Sequence, residues 1–461
     1  MSQPITPPER TATSSAAPPR DFHDTVVTLT VLNRLFEHYG RRDFALRLWD
    51  GIHVPADPGT DCRFTLVLNE PGVLRRMLLP PNELALGEAY LDGDWDLEGD
   101  IVAAMKLGDL FERLSMGMKE WLGLARLVRT LPEDHGSNGN GHDGVSGLRR
   151  LKLRGAEHSK DRDRKAVTYH YDVGNDFYGL WLGRRMLYSC AYFQTGEEDL
   201  DTAQTAKLDH ICRKLRLQPG ERLLDIGSGW GGLILYAAQQ YGVDATGITL
   251  SQPQAELANK RIAEAGLGDH CRVVLLDYRD LDSLRPFDKI TSVGMAEHVG
   301  RAKLPEYFES AWRALKPGGL FLNHAITAAG NDPGTNQLLD HYVFKRGAFI
   351  RKYVFPDGEL LPVGDVLGMA ERVGFEVRDV ESLREHYAIT LRHWVHNLEA
   401  NSEEAVRQVG ERTYRVWRLY MAGCSHNFAN ARLSIHQSLL SRPDDEGRSR
   451  QPMTRSYIYA D

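Results

Sequence analysis

Four short clusters in the sequence carry side chains that can exchange protons or act as nucleophiles. They supply a thiol at Cys190, a carboxylate at Glu297, an imidazole at His324 and a phenol at Tyr387. Taken singly, such residues are more often packing groups than reactive ones. Glu297 and His324, however, come at the ends of segments that are typical of buried strands, and substrates of open α/β sheets bind at strand ends. The four clusters therefore predict one acid–base site.

The region from Val167 onward alternates strand and helix patterns, which predicts a parallel α/β sheet with right-handed crossovers. The predicted strands are Leu223–Ile226, Ala245–Leu250, Arg272–Asp277, Lys289–Val293 and Leu320–Ile326. Ser251 is expected to cap the helix after the second strand, with Pro253 in its first turn. The segment Thr390 to Leu440 is predicted to be largely amphipathic helix.

The first predicted strand leads into a glycine turn, and the whole stretch reads LLDIGSGWGG from Leu223 to Gly232. Glycine admits positive φ angles and lets a ligand approach the backbone closely. A dinucleotide site would place an acidic residue at the end of the second strand, where this chain has Thr249-Leu250. Asp225 and the Gly-x-Gly-x-Gly spacing fit S-adenosylmethionine better, with Asp277-Tyr278 beside the adenine. A dinucleotide site and a purely structural turn are the alternatives.

From about Val167 to Leu440 the chain resembles the cyclopropane-fatty-acyl-phospholipid synthase family, whose members are relatives of the mycolic acid cyclopropane synthases. Several segments besides the glycine turn carry the resemblance. They are Tyr169–Phe177, Tyr188–Tyr192, Ala206-Lys-Leu, Asp277–Leu281, Ser292-Val-Gly-Met, Glu297-His-Val-Gly and Phe355-Pro-Asp-Gly. Gly87–Trp95 is similar to the small N-terminal domain of full-length bacterial synthases.

The resemblance implies a class I S-adenosylmethionine-dependent methyltransferase (Rossmann-like) domain with a small N-terminal α+β domain. It also implies methyl transfer to a cis double bond of an unsaturated phospholipid acyl chain. Attack by the alkene leaves a carbocation, and loss of a proton from the new methyl group closes a cyclopropane. Tyr178, Tyr192 and Phe193 are expected to present aromatic faces to that cation. The alternatives are the same site giving a methyl- or methylene-branched chain, and a lipid-binding protein with a vestigial methyltransferase domain.

In the family the base is a bound bicarbonate, and its ligands carry over to Cys190, Glu297, His324, Ile326 (backbone) and Tyr387. Glu297 as the sole base is the plainer physical alternative, although Gly294 leaves room for a small anion. Cys424 matches a cysteine sometimes proposed as catalytic, but a packing role is favoured because no step needs a thiolate. The implied cofactor contacts are Tyr188, Ser189, Asp225, Gly227, Gly229, Trp230, Gly231, Thr249, Leu250, Gln254, Asp277 and Tyr278. No metal site is predicted.

Three departures from the family pattern leave the exact substrate open. Ser228 replaces the usual cysteine of the glycine turn, and Ala296 replaces the usual phenylalanine before Glu-His, which is expected to widen the acyl pocket. The segment Asn331–Lys352 is longer than in the simplest members. It interleaves basic and aromatic residues, as expected of a lip at a membrane surface.

The expected organisation is a disordered tail (1–20), an N-terminal lipid- or membrane-associated domain (21–131), a linker (132–165), the catalytic domain (166–441) and a C-terminal tail (442–461). His135–Gly147 is the flexible part of the linker, and the basic run Leu148–Lys165 either is a solvated connector or meets phospholipid headgroups. The N-terminal domain is predicted to hold a helix at Val26–Tyr39, strands at Phe44–Trp49 and Cys62–Leu68, and a packed turn at Gly87–Asp100.

Composition limits the partners. The net charge of −7 gives no global attraction to nucleic acid or to anionic lipid. Five cysteines without metal-type spacing indicate reduced thiols in a cytosolic protein. The sequence has no apolar run near the ~18 residues of a spanning helix and no signal-type apolar region at its start. We therefore expect a cytoplasmic enzyme peripherally associated with the inner membrane, and the resemblance suggests a homodimer.

Overall fold

A computed structural model describes residues 20–37, 39–113, 118–133, 158–171, 173–329, 347–355 and 358–459. Within them the helices are α1 (Arg20–Phe36), α2 (Val73–Leu78), α3 (Glu83–Leu91), α4 (Ile101–Ala104), α5 (Lys106–Arg113), α6 (Met118–Val128), α7 (Lys160–Tyr171), α8 (Asn175–Gly179), α9 (Leu200–Leu215), α10 (Gly232–Tyr241), α11 (Gln252–Glu264), α12 (Leu304–Ala314), α13 (Ala348–Tyr353), α14 (Val363–Val373), α15 (Arg384–Ala400), α16 (Ser402–Val409), α17 (Glu411–Ala429) and α18 (Ser456–Tyr459).

The strands are β1 (Phe44–Arg47), β2 (His53–Val54), β3 (Phe64–Leu68), β4 (Trp95–Gly99), β5 (Arg222–Ile226), β6 (Asp244–Thr249), β7 (Cys271–Leu275), β8 (Phe287–Val293), β9 (Leu315–Ala328), β10 (Glu376–Ser382) and β11 (Leu433–Ser441). Short 3₁₀ turns cover Tyr278–Ser283 and Ala296–His298. The predicted tail, apart from Arg20, and the predicted flexible linker lie outside the described residues, as does most of Asn331–Lys352. No helix in the described ranges is long and apolar enough to cross a bilayer.

The chain divides into two compact units that are each discontinuous in sequence. The first comprises Met1–Ser146, Pro333–Lys352 and Gly410–His426, and the second comprises Gly147–Asp332, Tyr353–Val409 and Asn427–Asp461. Two segments of the range that the sequence analysis gave to the catalytic domain are therefore grouped with the N-terminal residues.

The first unit is built on a four-stranded mixed sheet in the order β2-β1-β3-β4. β1 and β3 are parallel, with Phe44 opposite Phe64, and the two rings stack at a centroid distance of 4.9 Å. The helix and the two strands predicted for this region are confirmed as α1, β1 and β3. The unit is thus an α+β domain with its own core.

The segment Gly87–Asp100 is not a packed turn, as the sequence analysis expected, because it ends helix α3 and forms strand β4. Its aspartates are mostly ion-paired rather than solvated. Asp92 and Asp94 both bind Arg76, and Asp96 accepts a 2.6 Å hydrogen bond from Arg415. Asp100 caps α4 by accepting from the Ala103 amide.

The second unit is organised around a seven-stranded sheet in the order β10-β11-β9-β8-β5-β6-β7 within the described residues. The five predicted strands are confirmed as β5 to β9, which all run parallel. The prediction of an all-parallel sheet is wrong at one edge, because β11 runs antiparallel to both β9 and β10. The prediction of helix up to Leu440 is wrong for the same stretch, since Leu433–Ser441 is strand β11.

Helices cover both faces of this sheet. On one face Leu208 and Ile211 of α9 pack with Ile234 of α10, and on the other Tyr307 and Phe308 of α12 pack with Met369 of α14. The carboxyl ends of β5, β6, β8 and β9 are left as neighbouring positions on one edge of the sheet. The glycine turn follows β5, the Glu297 cluster follows β8 and His324 lies near the end of β9, whereas Cys190 precedes α9 and Tyr387 lies on α15.

Candidate active site

The glycine turn between β5 and α10 has the conformation that the sequence predicted. Gly227 has φ of 80° and its amide donates to Ile248 O at 3.0 Å. A Cβ at Gly227 would lie 3.4 Å from Cβ of Met295, which belongs to the segment after β8. Gly229 has φ of 52° and faces open space on the side where a Cβ would project. The turn therefore offers bare backbone to a ligand and lies against the Glu297 cluster.

Asp225, the carboxylate ahead of this turn, is held inside the sheet. Thr291 of β8 donates to Asp225 Oδ1 at 2.8 Å, and the residue is almost fully buried. Burial raises the pKa of Asp225 to about 6, and the Thr291 hydrogen bond offsets only part of that rise. A ligand ammonium at this position would favour the charged form.

The end of β6 presents neutral polar groups instead of an acid. Thr249 Oγ1 donates to Gln254 Oε1 at 2.9 Å, and the Ser251 amide donates back to Thr249 Oγ1 at 3.2 Å. Ser251 caps α11 as predicted, with Pro253 in the first turn. Leu250 lies between these groups and is half-buried. The absence of an acid within Thr249–Gln254 weakens the dinucleotide alternative.

Asp277 follows β7 and starts the 3₁₀ turn by accepting from the Arg279 amide at 2.9 Å. The Arg279 guanidinium donates two hydrogen bonds to the same carboxylate, from Nε and from Nη2, each at 2.7 Å. Burial alone would raise the pKa of Asp277, but the Arg279 contacts together lower it. Asp277 is thus a fixed carboxylate, and the buried ring of Tyr278 beside it packs edge-on against Tyr307.

The acid–base cluster is assembled between the end of β9 and the segment after β8. The Gly294 amide donates to His324 O at 2.8 Å, and the Ile326 amide faces the Glu297 carboxylate. Glu297 Oε2 is buried and has no hydrogen-bond partner among the described residues. Burial raises the pKa of Glu297 to about 7. The carboxyl is therefore poised to hold or release a proton near neutral pH.

His324 is fully buried and neutral, because burial lowers its pKa far below the ordinary range. Its Nδ1 lies 3.3 Å from Nε2 of Gln437, which assigns the ring proton to Nε2 when the amide donates. Within the described ranges Nε2 has no hydrogen-bond partner. His324 thus has an unused Nε2, which is an N–H donor when Gln437 donates to Nδ1, and Gln437 is a site residue that the sequence analysis missed.

Cys190 and Tyr387 meet at one backbone carbonyl. Leu383 O accepts from the Tyr387 amide at 3.0 Å, and Cys190 Sγ lies 3.7 Å from the same oxygen. The Leu383 amide donates to Ile435 of β11, and Ile435 is paired with Ile326. Burial raises the pKa of Cys190 well above that of a free thiol, so it is a thiol here. The unpredicted strand β11 therefore ties these four clusters together.

A continuous line of aromatic rings joins the glycine turn to Tyr387. Trp230 contacts Tyr178 at a centroid distance of 5.0 Å, and Tyr178 contacts Tyr188 at 5.8 Å. Tyr188 contacts Trp394 at 5.3 Å, and Trp394 contacts Tyr387 at 5.9 Å. Trp394 was predicted only as part of an amphipathic helix, and its role in this line was not foreseen.

Tyr192 and Phe193, which were predicted to shield a cation, are both stacked on histidine rings. Tyr192 is stacked on His210 at 4.2 Å and on His386 at 4.9 Å. Phe193 is stacked on His393 at 5.7 Å, and its amide donates to His386 Nδ1 at 3.0 Å. These rings pack the loop against helices, which leaves the Tyr178–Tyr188–Trp394 line as the aromatic surface near the turn.

Cys424 lies on α17, in the part of that helix that belongs to the first compact unit. Burial raises the pKa of Cys424 to about 12, which keeps it protonated at neutral pH. A buried thiol of this kind behaves as a small apolar side chain. Its sequence-based interpretation as a packing residue accords with this environment.

The five parallel strands β5 to β9, with a glycine turn after β5, give this chain the fold of the class I S-adenosylmethionine-dependent methyltransferases. Among solved structures, the chain is similar to the mycolic acid cyclopropane synthase CmaA1 in complex with SAH and CTAB. The TM-score is 0.56 at 33% identity, over 60% of this chain and 97% of that one.

Within this class, a family model described as mycolic acid cyclopropane synthetase matches residues 158–438, and the chain belongs to that family. Residues 31–108 match a domain of unknown function (DUF7884). A probable fatty acid methyltransferase of Pseudomonas putida is 40% identical over 90% of this chain and 95% of its own length. The cyclopropane-fatty-acyl-phospholipid synthase of Escherichia coli K12 is 33% identical over 86% and 92%.

Proposed function

We propose that this protein uses S-adenosylmethionine to convert a cis double bond of an unsaturated phospholipid acyl chain into a cyclopropane. The observation that carries the proposal is a pair of buried polar atoms, Glu297 Oε2 and His324 Nε2, without hydrogen-bond partners in the described part of the chain. Buried polar atoms are nearly always satisfied, so a ligand with both a donor and an acceptor is expected beside them.

The glycine turn suits the amino-acid and ribose parts of S-adenosylmethionine, because its backbone is open where side chains would block a ligand. Tyr188, Ser189, Thr249, Gln254 and the Asp277–Tyr278 pair are the proposed remaining contacts. When bound, this cofactor supplies a methyl group activated on a sulfonium. Asp225 would hold the cofactor's ammonium from below the turn.

In the proposed reaction the new carbon–carbon bond forms as the bond between sulfur and the methyl carbon breaks. The alkene's electron pair forms the new carbon–carbon bond with the methyl group, and the sulfonium leaves as a neutral thioether. The neighbouring alkene carbon is then a cation, and water would trap it as an alcohol. Trp394 is fully buried and Tyr387 nearly so, and together with Tyr188 they would exclude water and face the cation.

Ring closure needs a base for one proton of the new methyl group. Neutral His324 through its Nε2–H and the protonated Glu297 carboxyl, which the Ile326 amide faces, would be donors to a small oxyanion. Bicarbonate in that set would supply the base. Because its pKa is about 7, Glu297 would be able to hold a proton at its carboxyl or to release it near neutral pH.

The lipid substrate is part of the proposal and is supported by the names of the relatives. One of them is a cyclopropane-fatty-acyl-phospholipid synthase and another a probable fatty acid methyltransferase. We further propose that the protein works at the inner membrane as a peripheral homodimer. The basic run Leu148–Lys165 is the candidate headgroup contact, and most of it lies outside the described residues.

Lipid mass spectrometry tests the proposal. The protein is expressed in a bacterial host that lacks its own cyclopropane synthase, and Glu297→Gln is the matched control. We expect unsaturated acyl chains to gain one CH₂ unit that resists hydrogenation and is destroyed by acid, in the wild type only. A product that has gained the same unit but takes up H₂ on hydrogenation indicates a methylene branch, and an acid-stable saturated product indicates a methyl branch. Either result, or no gain at all, contradicts ring formation.

A further inference from the structure

Lys207, in the middle of α9, carries a buried ammonium group without a counter-ion. Its side chain is 1% exposed, and its Nζ donates to Ser189 Oγ at 2.9 Å. In the described ranges no carboxylate lies within 4.0 Å of Nζ. Lys214, two turns further along the same helix, shows the usual solution, with Glu381 at 2.5 Å and Asp379 at 3.2 Å. A buried charge without such a partner is costly, so the anion that Lys207 lacks is expected from a ligand.

The Ser189 hydroxyl would link the Lys207 ammonium to the proposed ligand, and its orientation is set by Lys207. Its hydroxyl oxygen accepts from Lys207, which directs its own proton away from Nζ. Its backbone carbonyl accepts from Gln204 Nε2 at 2.9 Å, one helical turn before Lys207. Lys207 and Gln204 thus fix both polar ends of Ser189. A hydroxyl that accepts from an ammonium is a stronger and better-oriented donor toward an anion.

Asp225 supplies the opposite charge at the same end of the site. Lys207 and Asp225 attract each other electrostatically but form no direct ion pair. Burial disfavours the charged form of both residues: it lowers the pKa of Lys207 to about 8 and raises that of Asp225 to about 6. A bound group with one negative and one positive charge would compensate both residues at once. The amino-acid end of S-adenosylmethionine is such a zwitterion.

We propose that Lys207, acting through the Ser189 hydroxyl, is the counter-charge for the cofactor's methionine carboxylate, opposite Asp225 for its ammonium. Lys207 is a positioning residue, because it touches Ser189 and not the cofactor. The inference rests on the proposed use of S-adenosylmethionine. It assigns a role to the Ala206-Lys-Leu segment that the proposed reaction leaves unexplained.

Calorimetry on the full chain tests this role with two ligands. S-Adenosylhomocysteine carries the amino-acid end, whereas methylthioadenosine keeps the adenosine and the thioether but lacks that end. For Lys207→Met we expect S-adenosylhomocysteine to bind about 10–100-fold more weakly, the usual worth of a charge-assisted hydrogen bond, and methylthioadenosine to bind as in the wild type. Lys214→Met removes an equally buried lysine of the same helix and should leave the ratio of the two affinities unchanged.

Ser189→Ala removes only a hydroxyl, so it remains informative if Lys207→Met fails to fold. It should cause the same selective loss, and the double variant should bind no more weakly than the weaker single variant. Equal weakening of both ligands in either variant, or no weakening in Ser189→Ala, overturns the role of Lys207. Failure of the wild type to bind S-adenosylhomocysteine overturns the proposed function instead.

Discussion

The protonation of Glu297 can be tested through stability, independently of turnover. Burial raises the pKa of this carboxyl from 4.5 to about 7, and Oε2 has no hydrogen-bond partner among the described residues. The folded protein therefore holds a proton that the unfolded chain releases above pH 4.5. The free energy of unfolding falls as the pH rises from 4.5 to 7. In this range the unfolded chain has already released the proton, whereas the folded protein still binds it because ionisation would bury a charge.

The size of this effect follows from the shift. A difference of roughly 2.5 pKa units corresponds to about 3 kcal/mol, most of which falls between pH 5 and pH 8. Glu297→Gln does not titrate, so its unfolding free energy relative to the wild type should rise by that amount over this range. For a domain of this size the gap in Tm should widen by roughly 5–10 °C. An offset from the altered polar group is independent of pH and cancels in the comparison.

Differential scanning calorimetry in bicarbonate-free buffers at pH 5 and pH 8 measures the gap. Asp444→Asn is the control of opposite kind. Hydrogen bonds from the Arg448 amide and the Arg450 guanidinium lower the pKa of Asp444 to about 2. Its stabilisation is present above pH 3.8 and is lost only below that, and its partners stay charged, so its gap should be constant from pH 5 to pH 8. Parallel Tm curves for Glu297→Gln and the wild type would refute an uncompensated buried carboxyl.

Two further variants test the site and the first unit. Tyr387→Phe should abolish turnover while S-adenosylhomocysteine binds as in the wild type in calorimetry; full activity would remove Tyr387 from the proposed base site. Gly87→Ala should destabilise the protein by about 1–3 kcal/mol in thermal unfolding, because a Cβ there would overlap the Phe349 ring. Gly108→Ala, at an exposed position in α5 with nothing within 4 Å, should instead stabilise it by up to ~1 kcal/mol. Equal effects of the two alanines would refute the close packing of α3 on Phe349.

Local patterns predicted the elements whose signals are local. The strand before the glycine turn, the turn itself and the Ser251 cap depend on residues within a few positions of one another, and all three are confirmed. The dense acidic stretch Gly87–Asp100 was misassigned for the opposite reason. Its aspartates are neutralised by arginines far away in the sequence, such as Arg415, so that a stretch typical of a loop forms a helix and a strand.

Strand β11 was missed because it lacks the alternation that marks a half-buried strand. Gln437 to Ser441 are all buried, since β11 lies between β9 and β10 and is covered on both faces. Its register is set by pairing with β9, as Gln437 is opposite His324 across more than one hundred residues of sequence. A strand that includes three serines and a glutamine reveals neither that pairing nor its antiparallel direction.

The same strand shows why motif positions alone did not give the chemistry of the site. The sequence identified His324 and Glu297, but a neutral histidine is held with its proton on Nε2 when a second group donates a hydrogen bond to its Nδ1. Gln437 provides that group. On the same strand the Ile435 carbonyl accepts a hydrogen bond from the Leu383 amide, and the carbonyl of Leu383 in turn contacts Cys190 Sγ and the Tyr387 amide. The side chains with reactive groups come from other elements. Strand β11 sets the tautomer of His324 and the position of the Leu383 carbonyl that Cys190 and Tyr387 contact. The reactivity proposed for this site is therefore a property of the antiparallel edge of the sheet, added to a cofactor turn that many methyltransferases share.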